Sequence, residues 1–332
     1  MDRVSVSPDH DNPRATAPAT AVDHESVVDA ACRITSIVRR TPILTAAVPT
    51  PNGPVEVVFK LEYLQHGGSF KVRGSLNALG RARENGTLPA AGVLIASGGN
   101  AAIGAAWAAR YWDTPCTVVV PEAAPPAKLD RLQRLGATVH RVGSSYADAA
   151  AHASTLAREL GAVKLHAYDL PDIVAGAGTI ALELCEQLDT PLDCLVAVGG
   201  GGLVAGLTAG VRGTDMIHGV EPVGAATLHR ALAAGAPIDI EVNSIAADSL
   251  GATRIGNLAW AAASTGRIDS LVVDDTGIVD ARRWLWDELR IVVEHGTAAA
   301  LAPILAGTVT ETAGRTLCVV LCGANTAVSD LG

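Results

Sequence analysis

The chain has 332 residues, is 49% hydrophobic but only 3% aromatic, and carries a formal net charge of −9. That length and apolar content allow a sizeable core in two domains or one large one, and an apolar fraction built mainly on Ala, Val and Leu suits helices wrapped on parallel strands better than a β-sandwich. An acidic balance with no Lys/Arg run longer than two argues against nucleic acid, and no stretch of about 18 uncharged apolar residues has the composition of a membrane span, so the expected partner is a small molecule.

Met1 to Thr20 is rich in Pro, Ser, Ala and Asp and lacks an apolar core, which predicts a disordered tail rather than a secretory signal. Helical spacing follows over Glu25–Arg39, with Val27, Ala30, Ile34 and Val38 on one side. Val55–Leu61 reads as a strand and Gly74–Asn85 as a helix. Next come a short apolar run at Val93–Ser97, a Gly-Gly-Asn turn and an Ala-rich helix at Ala101–Tyr111. Strand Cys116–Pro121, helix Lys128–Leu135, strand Thr138–Val142 and helix Tyr146–Leu160 repeat the alternation. A second set comprises Cys194–Val198, a four-glycine turn, the helix Leu203–Val211, and the strands Met216–Val220 and Leu317–Leu321. Such βαβα order predicts an α/β fold of open, mostly parallel sheets flanked by helices, with ligands bound where strands end and helices begin. Six cysteines are scattered along the chain without zinc-ribbon or C-x-x-C spacing, which predicts reduced thiols in a cytoplasmic protein. Cys318 and Cys322 are expected in one strand, on one face.

Four motifs carry chemistry. Gly199, Gly200, Gly201 and Gly202 stand between a strand and the helix opening at Leu203. Without Cβ atoms, several backbone N–H groups can converge on an anion at the positive end of a helix dipole; the competing reading is a tight turn without a ligand. No Lys-Ser/Thr pair follows, so this is not a P-loop. Lys71, in Gly67-Gly68-Ser69-Phe70-Lys71-Val72-Arg73-Gly74, sits where a helix is expected to begin. A desolvated lysine loses basicity and attacks carbonyls, whereas a solvated helix-start lysine does neither. Ser97-Gly98-Gly99-Asn100-Ala101 offers backbone N–H groups, a hydroxyl and an amide at another strand end, although Asn100 alone reads more simply as a helix cap. Leu321-Cys322-Gly323-Ala324-Asn325 follows the last strand, where Cys322 alone reads as a buried structural cysteine.

Together and in this order, the motifs resemble those of the fold-type II (tryptophan synthase β-like) pyridoxal-phosphate enzymes, and within them the serine/threonine dehydratases. The resemblance runs from Val38-Arg39-Arg40-Thr41-Pro42 to Asn325. It implies two domains: a large cofactor-binding domain of 23–91 and 170–332 and a small domain of 92–169, after a tail at 1–22. It implies that Lys71 holds pyridoxal 5′-phosphate covalently and later moves the proton at Cα, and that Phe70 packs beside the ring. Asn100 would bond the ring's 3-hydroxyl, Gly199 to Leu203 would bind the phosphate, and Cys322 would stand against the ring nitrogen. Ser97, Gly98, Gly99, Asn100 and Ala101 would hold the substrate carboxylate. The implied reaction is loss of water and then ammonia from a β-hydroxy amino acid such as L-threonine or L-serine, in a homodimer.

Several details refine the resemblance. Serine racemases of this group carry a Ser where Gly98 stands, so racemisation is not expected here. Glu221, the Ala225 carbonyl and Thr227 resemble a cation loop; a neutral Thr in place of Asp favours a monovalent ion such as K⁺ over Mg²⁺ or Ca²⁺. Gly67, Glu294-His295-Gly296-Thr297-Ala298 and Ala324 depart from the family pattern and bear on substrate identity, and Asp248 is a candidate to face the substrate. No regulatory segment follows Asn325, so feedback through a distal amino-acid site is not expected. Two other readings stand beside the dehydratase: another β-elimination or replacement lyase acting on a modified or larger hydroxy amino acid, and a non-catalytic phosphate-ligand binder, which would have no use for Lys71.

Overall fold

The computed structural model describes residues 22–124 and 126–329; the tail expected at 1–22 lies, Val22 apart, outside the described residues. In chain order the strands are β1 (Ile43–Val48), β2 (Val55–Lys60), β3 (Val93–Ala96), β4 (Cys116–Val120), β5 (Thr138–Arg141), β6 (Val163–Leu165), β7 (Leu192–Ala197), β8 (Met216–Pro222), β9 (Ile268–Val273) and β10 (Thr316–Val320). They form a six-stranded sheet in the order β1-β2-β10-β7-β8-β9 and a four-stranded sheet in the order β5-β4-β3-β6. All pairings are parallel except the antiparallel pair β1 and β2. Central strands β4 and β7 are buried along their whole length, because helices cover both faces.

The helices that build the site are α1 (His24–Ile34), α2 (Lys71–Glu84), α3 (Asn100–Tyr111), α4 (Pro126–Arg134), α5 (Tyr146–Leu160), α6 (Pro171–Gln187), α7 (Gly202–Gly210) and α8 (Thr227–Ala234). Three boundaries differ from the sequence reading. The first helix stops at Ile34, not Arg39. The helix expected from Gly74 begins at Lys71, after two single 3₁₀ turns at Glu62–Leu64 and His66–Gly68. Strand β10 ends at Val320, so Cys322 lies beyond it and does not share a strand face with Cys318.

Helix α2 connects the two sheets. Its Val72, Leu76 and Leu79 pack with Val93, Ile95 and Val118 of the four-stranded sheet and with Ala102 and Ala105 of α3. On its other side Gly74 and Gly176 let α2 and α6 touch backbone to backbone: a Cβ at Gly74 would lie 2.7 Å from the Ile173 carbonyl oxygen, and one at Gly176 2.6 Å from that of Arg73. A buried ion network fixes this contact. Arg73 gives both Nε and Nη2 to Glu62 at 2.8 Å and Nη1 to Glu183 at 2.8 Å, while Lys60 reaches the second oxygen of Glu183 at 2.6 Å. Burial opposes the charge of Arg73, but Glu62 and Glu183 outweigh it and its pKa is raised. Two cations against two carboxylates give a neutral set, which is how such groups tolerate burial.

Candidate active site

Lys71 is the first residue of α2, and its amine points away from the helix to the carbonyl of Ala167, 2.9 Å distant. Gly104 of α3 allows this: a Cβ there would lie 2.9 Å from the Lys71 backbone carbon, so α3 seats directly on the start of α2. Desolvation pulls the Lys71 amine down to about 8, against an opposing pull from Cys322 and Glu294. Its neighbour Phe70 is buried, with the Lys71 nitrogen 4.9 Å from the ring centroid.

The glycine loop starts where β7 ends. Gly201 has φ +86°, and α7 begins at Gly202 with no side-chain cap on its N-terminus. The N–H groups of Gly200, Gly201, Gly202 and Leu203 have no acceptor among the described residues, which leaves a run of unpaired donors at a helix start. Tyr168 lies on this loop: a Cβ at Gly200 would sit 2.3 Å from its ring, and one at Gly202 2.6 Å from its backbone oxygen. Since Lys71 bonds Ala167, the amine and the cradle are one residue apart along the chain 167–168. Burial, with Tyr146 and Asp169 nearby, raises the Tyr168 phenol to about 12, so it stays neutral.

The other two motifs close the site. The loop after β10 is stapled to the lysine loop: Phe70 N–H donates to the Cys322 carbonyl at 3.0 Å, Ala324 N–H to that of Gly68 at 3.0 Å, and Ser69 bridges Gly323. Burial pushes the Cys322 thiol up to about 12, and Thr297 Oγ1 lies 3.2 Å from its sulfur. In the loop after β3, Ser97 Oγ accepts from Gly99 N–H at 3.2 Å, so the hydroxyl shapes the turn. Gly99, not Asn100, is the N-cap of α3, and no side chain caps that helix. The Asn100 amide instead gives Nδ2 to Glu294 at 2.8 and 2.9 Å and accepts from Asn325 Nδ2 at 2.5 Å. Ala101 is buried behind it. The turn at Ala247–Leu250 borders both loops, with the Asp248 backbone oxygen 3.9 Å from a Cβ built on Gly99 and the Leu250 Cα 3.2 Å from one on Gly199. The Asp248 side chain pairs with Lys128 of α4.

Glu221, Ala225 and Thr227 lie behind the cradle. Both Glu221 oxygens accept backbone N–H groups of α8, from Leu228 and His229 at 2.8 Å each, and Thr227 Oγ1 donates to the Gly199 carbonyl at 2.5 Å. Burial raises the Glu221 carboxyl to about 7. Capping α8 and anchoring the glycine loop is the use of these side chains that the hydrogen bonds show. Nothing local in the sequence points to Arg131, Thr297 or Tyr168: Arg131 lies on a surface-type helix, Thr297 stands in a segment that departs from the family pattern, and Tyr168 follows a strand of three residues.

The family model for pyridoxal-phosphate dependent enzymes matches residues 34–323. The chain belongs to that family. Members of known activity include an L-threonine ammonia-lyase of Geobacter sulfurreducens, 34% identical over 87% of this chain and 72% of the relative. An L-threo-3-hydroxyaspartate ammonia-lyase of a Pseudomonas species is 34% identical over 85% of this chain and 88% of its own. The solved structure of maize serine racemase superposes with TM-score 0.86 at 29% identity, covering 94% of this chain and 96% of that one. The site of this pyridoxal-phosphate dependent enzyme fits its cofactor chemically. Four free N–H donors suit a phosphate, a desolvated amine suits an aldehyde, and the glycine positions leave no room for a Cβ. No helix among the described residues is long and apolar enough to cross a membrane.

Proposed function

We propose that this enzyme removes water and then ammonia from a small L-β-hydroxy amino acid such as L-threonine or L-serine, leaving a 2-oxo acid. The observation that carries the reading is the adjacency of the Lys71 amine and the glycine cradle through Ala167 and Tyr168. Similarity to two ammonia-lyases supports it. Bound pyridoxal phosphate supplies an aldehyde that amines condense with and a ring that draws electron density from the substrate Cα. The chain's own residues do the rest. Gly200 to Leu203 hold the phosphate through backbone N–H groups, and Phe70 and Asn100 flank the ring. The loop Ser97–Ala101 orients the substrate carboxylate, with Gly98 and Gly99 leaving its backbone open. Lys71, with a pKa near 8, is suited to take the proton from Cα at neutral pH and to release it again. Cys322 stays a neutral thiol beside the ring nitrogen, so it adds no negative charge there. Loss of the β-hydroxyl as water follows, and hydrolysis of the released product gives the 2-oxo acid and ammonia.

A hydroxy amino acid with a second carboxylate is the alternative substrate, favoured by Lys128 and Arg131, which α4 brings to the same loops. Part of the same proposal are the domain division at 92–169, a homodimer and a cytoplasmic setting. A K⁺ ion at Glu221 would share that carboxylate with α8. The test is ammonia and 2-oxo acid release from L-threonine, L-serine, L-threo-3-hydroxyaspartate and their D-isomers by the purified holoenzyme. Turnover of an L-isomer is expected; ammonia from none of them would overturn the proposal.

A further inference from the structure

Asn100 sits in a chain of hydrogen bonds that runs in one direction, from a cation to a carboxylate. Arg131 Nη1 donates to Asn325 Oδ1. The Asn325 amide nitrogen donates to Asn100 Oδ1 at 2.5 Å and to the Gly67 carbonyl at 2.9 Å. Asn100 Nδ2 in turn donates to Glu294 Oε1 and Oε2 at 2.8 and 2.9 Å. Glu294 is buried and also accepts from Asn325 N–H at 2.8 Å. Gly323 closes over the pair, since a Cβ there would lie 3.0 Å from Glu294 Oε2 and 3.2 Å from Asn100 Nδ2.

Counting donors decides what this does. An amide can point its oxygen or its NH₂ group toward a given neighbour, and the two orientations differ only in which hydrogen bonds they satisfy. Here a carboxylate can only accept at one end, and the Asn325 nitrogen can only donate at the other. Turning the Asn100 amide over would set oxygen against the Glu294 oxygens and NH₂ against NH₂, so its orientation is fixed from both sides. The two oxygens of one carboxylate lie too close together to take both diverging N–H bonds of one amide. One proton is therefore shared between them and the second N–H is left over. Ionised ends polarise such a chain and strengthen every bond in it.

We propose that Glu294 is a positioning residue: with Asn325 and Arg131 it locks the Asn100 amide so that an N–H, and never the oxygen, is offered to the anionic 3-oxygen of the bound cofactor. The inference rests on the functional reading above, which places that oxygen at Asn100. An N–H held against the 3-oxygen stabilises its anionic form and sets the pH at which the bound cofactor's visible spectrum titrates. Burial raises the Glu294 carboxyl, and the hydrogen bond from Asn100 opposes that shift, which is the same coupling seen from the other end.

The experiment is spectrophotometric pH titration of the holoenzyme for wild type, Glu294→Gln, Asn100→Ala and the double variant. Glu294→Gln can present NH₂ to Asn100 and so releases the lock. The expected result is a spectral midpoint shifted by about one pH unit or more in each single variant, with no additional shift when Glu294→Gln is placed in the Asn100→Ala background. Asn325→Asp, which puts an acceptor against Asn100 Oδ1, should shift the midpoint in the same direction, and serves if Glu294→Gln does not fold. An unchanged midpoint in the folded single variants, or an equal Glu294→Gln shift with and without Asn100, would overturn the inference. Wild type that forms no borohydride-sensitive visible band with pyridoxal phosphate would instead overturn the functional reading itself, and this inference with it.

Discussion

The amine of Lys71 is held 2.9 Å from the carbonyl oxygen of Ala167, the residue before the tyrosine that covers the glycine loop. One peptide unit thus ties the Lys71 amine to the glycine loop, and under the proposed function a cofactor gripped by that loop would meet an amine already placed. Only the neutral amine can attack an aldehyde, so its pKa controls attachment. With a value of about 8, roughly one Lys71 amine in ten is neutral at pH 7, against about one in three thousand at an ordinary 10.5. The rate at which pyridoxal phosphate attaches to the cofactor-free protein should therefore rise with pH to a midpoint near 8. Stopped-flow absorbance measures it; a rate still climbing without a bend at pH 9.5 would contradict the desolvated amine. The linkage has a matching sign. The folded pKa lies below the unfolded one, so the unfolded chain binds the extra proton between pH 8 and 10.5. Lys71 then adds stability to the cofactor-free protein as pH rises through that window.

Gly202 tests the cradle. A Cβ there would lie 2.6 Å from the Tyr168 backbone oxygen, and trimming the tyrosine side chain cannot relieve a clash with its backbone. Gly202→Ala is expected to weaken pyridoxal phosphate binding about tenfold or more, roughly 1.4 kcal/mol. Gly213, which has nothing within 4 Å of such a Cβ, should accept Ala with no change. Equilibrium binding followed by absorbance separates the two.

Arg73 carries the load between α2 and α6. Arg73→Met would strand Glu62 in the interior and leave Glu183 to Lys60 alone, and should cost about 3–5 kcal/mol in urea unfolding. Arg73→Lys keeps the charge but loses the two-pronged grip on Glu62, and a smaller loss is expected. If both variants unfolded like wild type, the network would not be what seats the start of α2.

Gly98 bears on the choice between elimination and racemisation. A Cβ at Gly98 would meet only Val120 Cγ1, at the ordinary distance of 3.6 Å, so the backbone there accepts a side chain without a clash at its first carbon. Gly98→Ser should fold with a stability within about 0.5 kcal/mol of wild type. It should also form D-serine from L-serine, which wild type is expected not to do. Chiral chromatography of the reaction mixture decides the matter, and D-serine from wild type would remove Gly98 as the discriminating position.

Much of this arrangement could be read from the residues, because its signals are local. Helix Tyr146–Leu160 was legible to the residue, since Ser145 caps it, Asp148 completes the box and Gly161 ends it in a left-handed turn. The glycine loop and Lys71 declared themselves by composition at element boundaries. Helix α6 did not: its Ile173 to Ala181 are all buried, so no amphipathic period exists to find. Strand β6 has only three residues, and β1 pairs antiparallel at an edge. Asn100 and its expected bond to the ring's 3-hydroxyl are legible through the family resemblance, but what orients its amide is not. The partners that turn it from a helix cap into a directed donor, Glu294 and Asn325, lie 194 and 225 residues away and enter only through tertiary packing. Glu221 was legible as a ligand-type residue, while the α8 N–H groups that occupy it were not.

The proposed chemistry requires covalent capture of the cofactor by one amine beside the glycine loop. Borohydride reduction of the holoenzyme, followed by peptide mass spectrometry, addresses it directly. The pyridoxyl group is expected on Lys71, with its loss and the loss of the visible band in Lys71→Ala. A label on another lysine, or no label on a protein that binds pyridoxal phosphate, would contradict it.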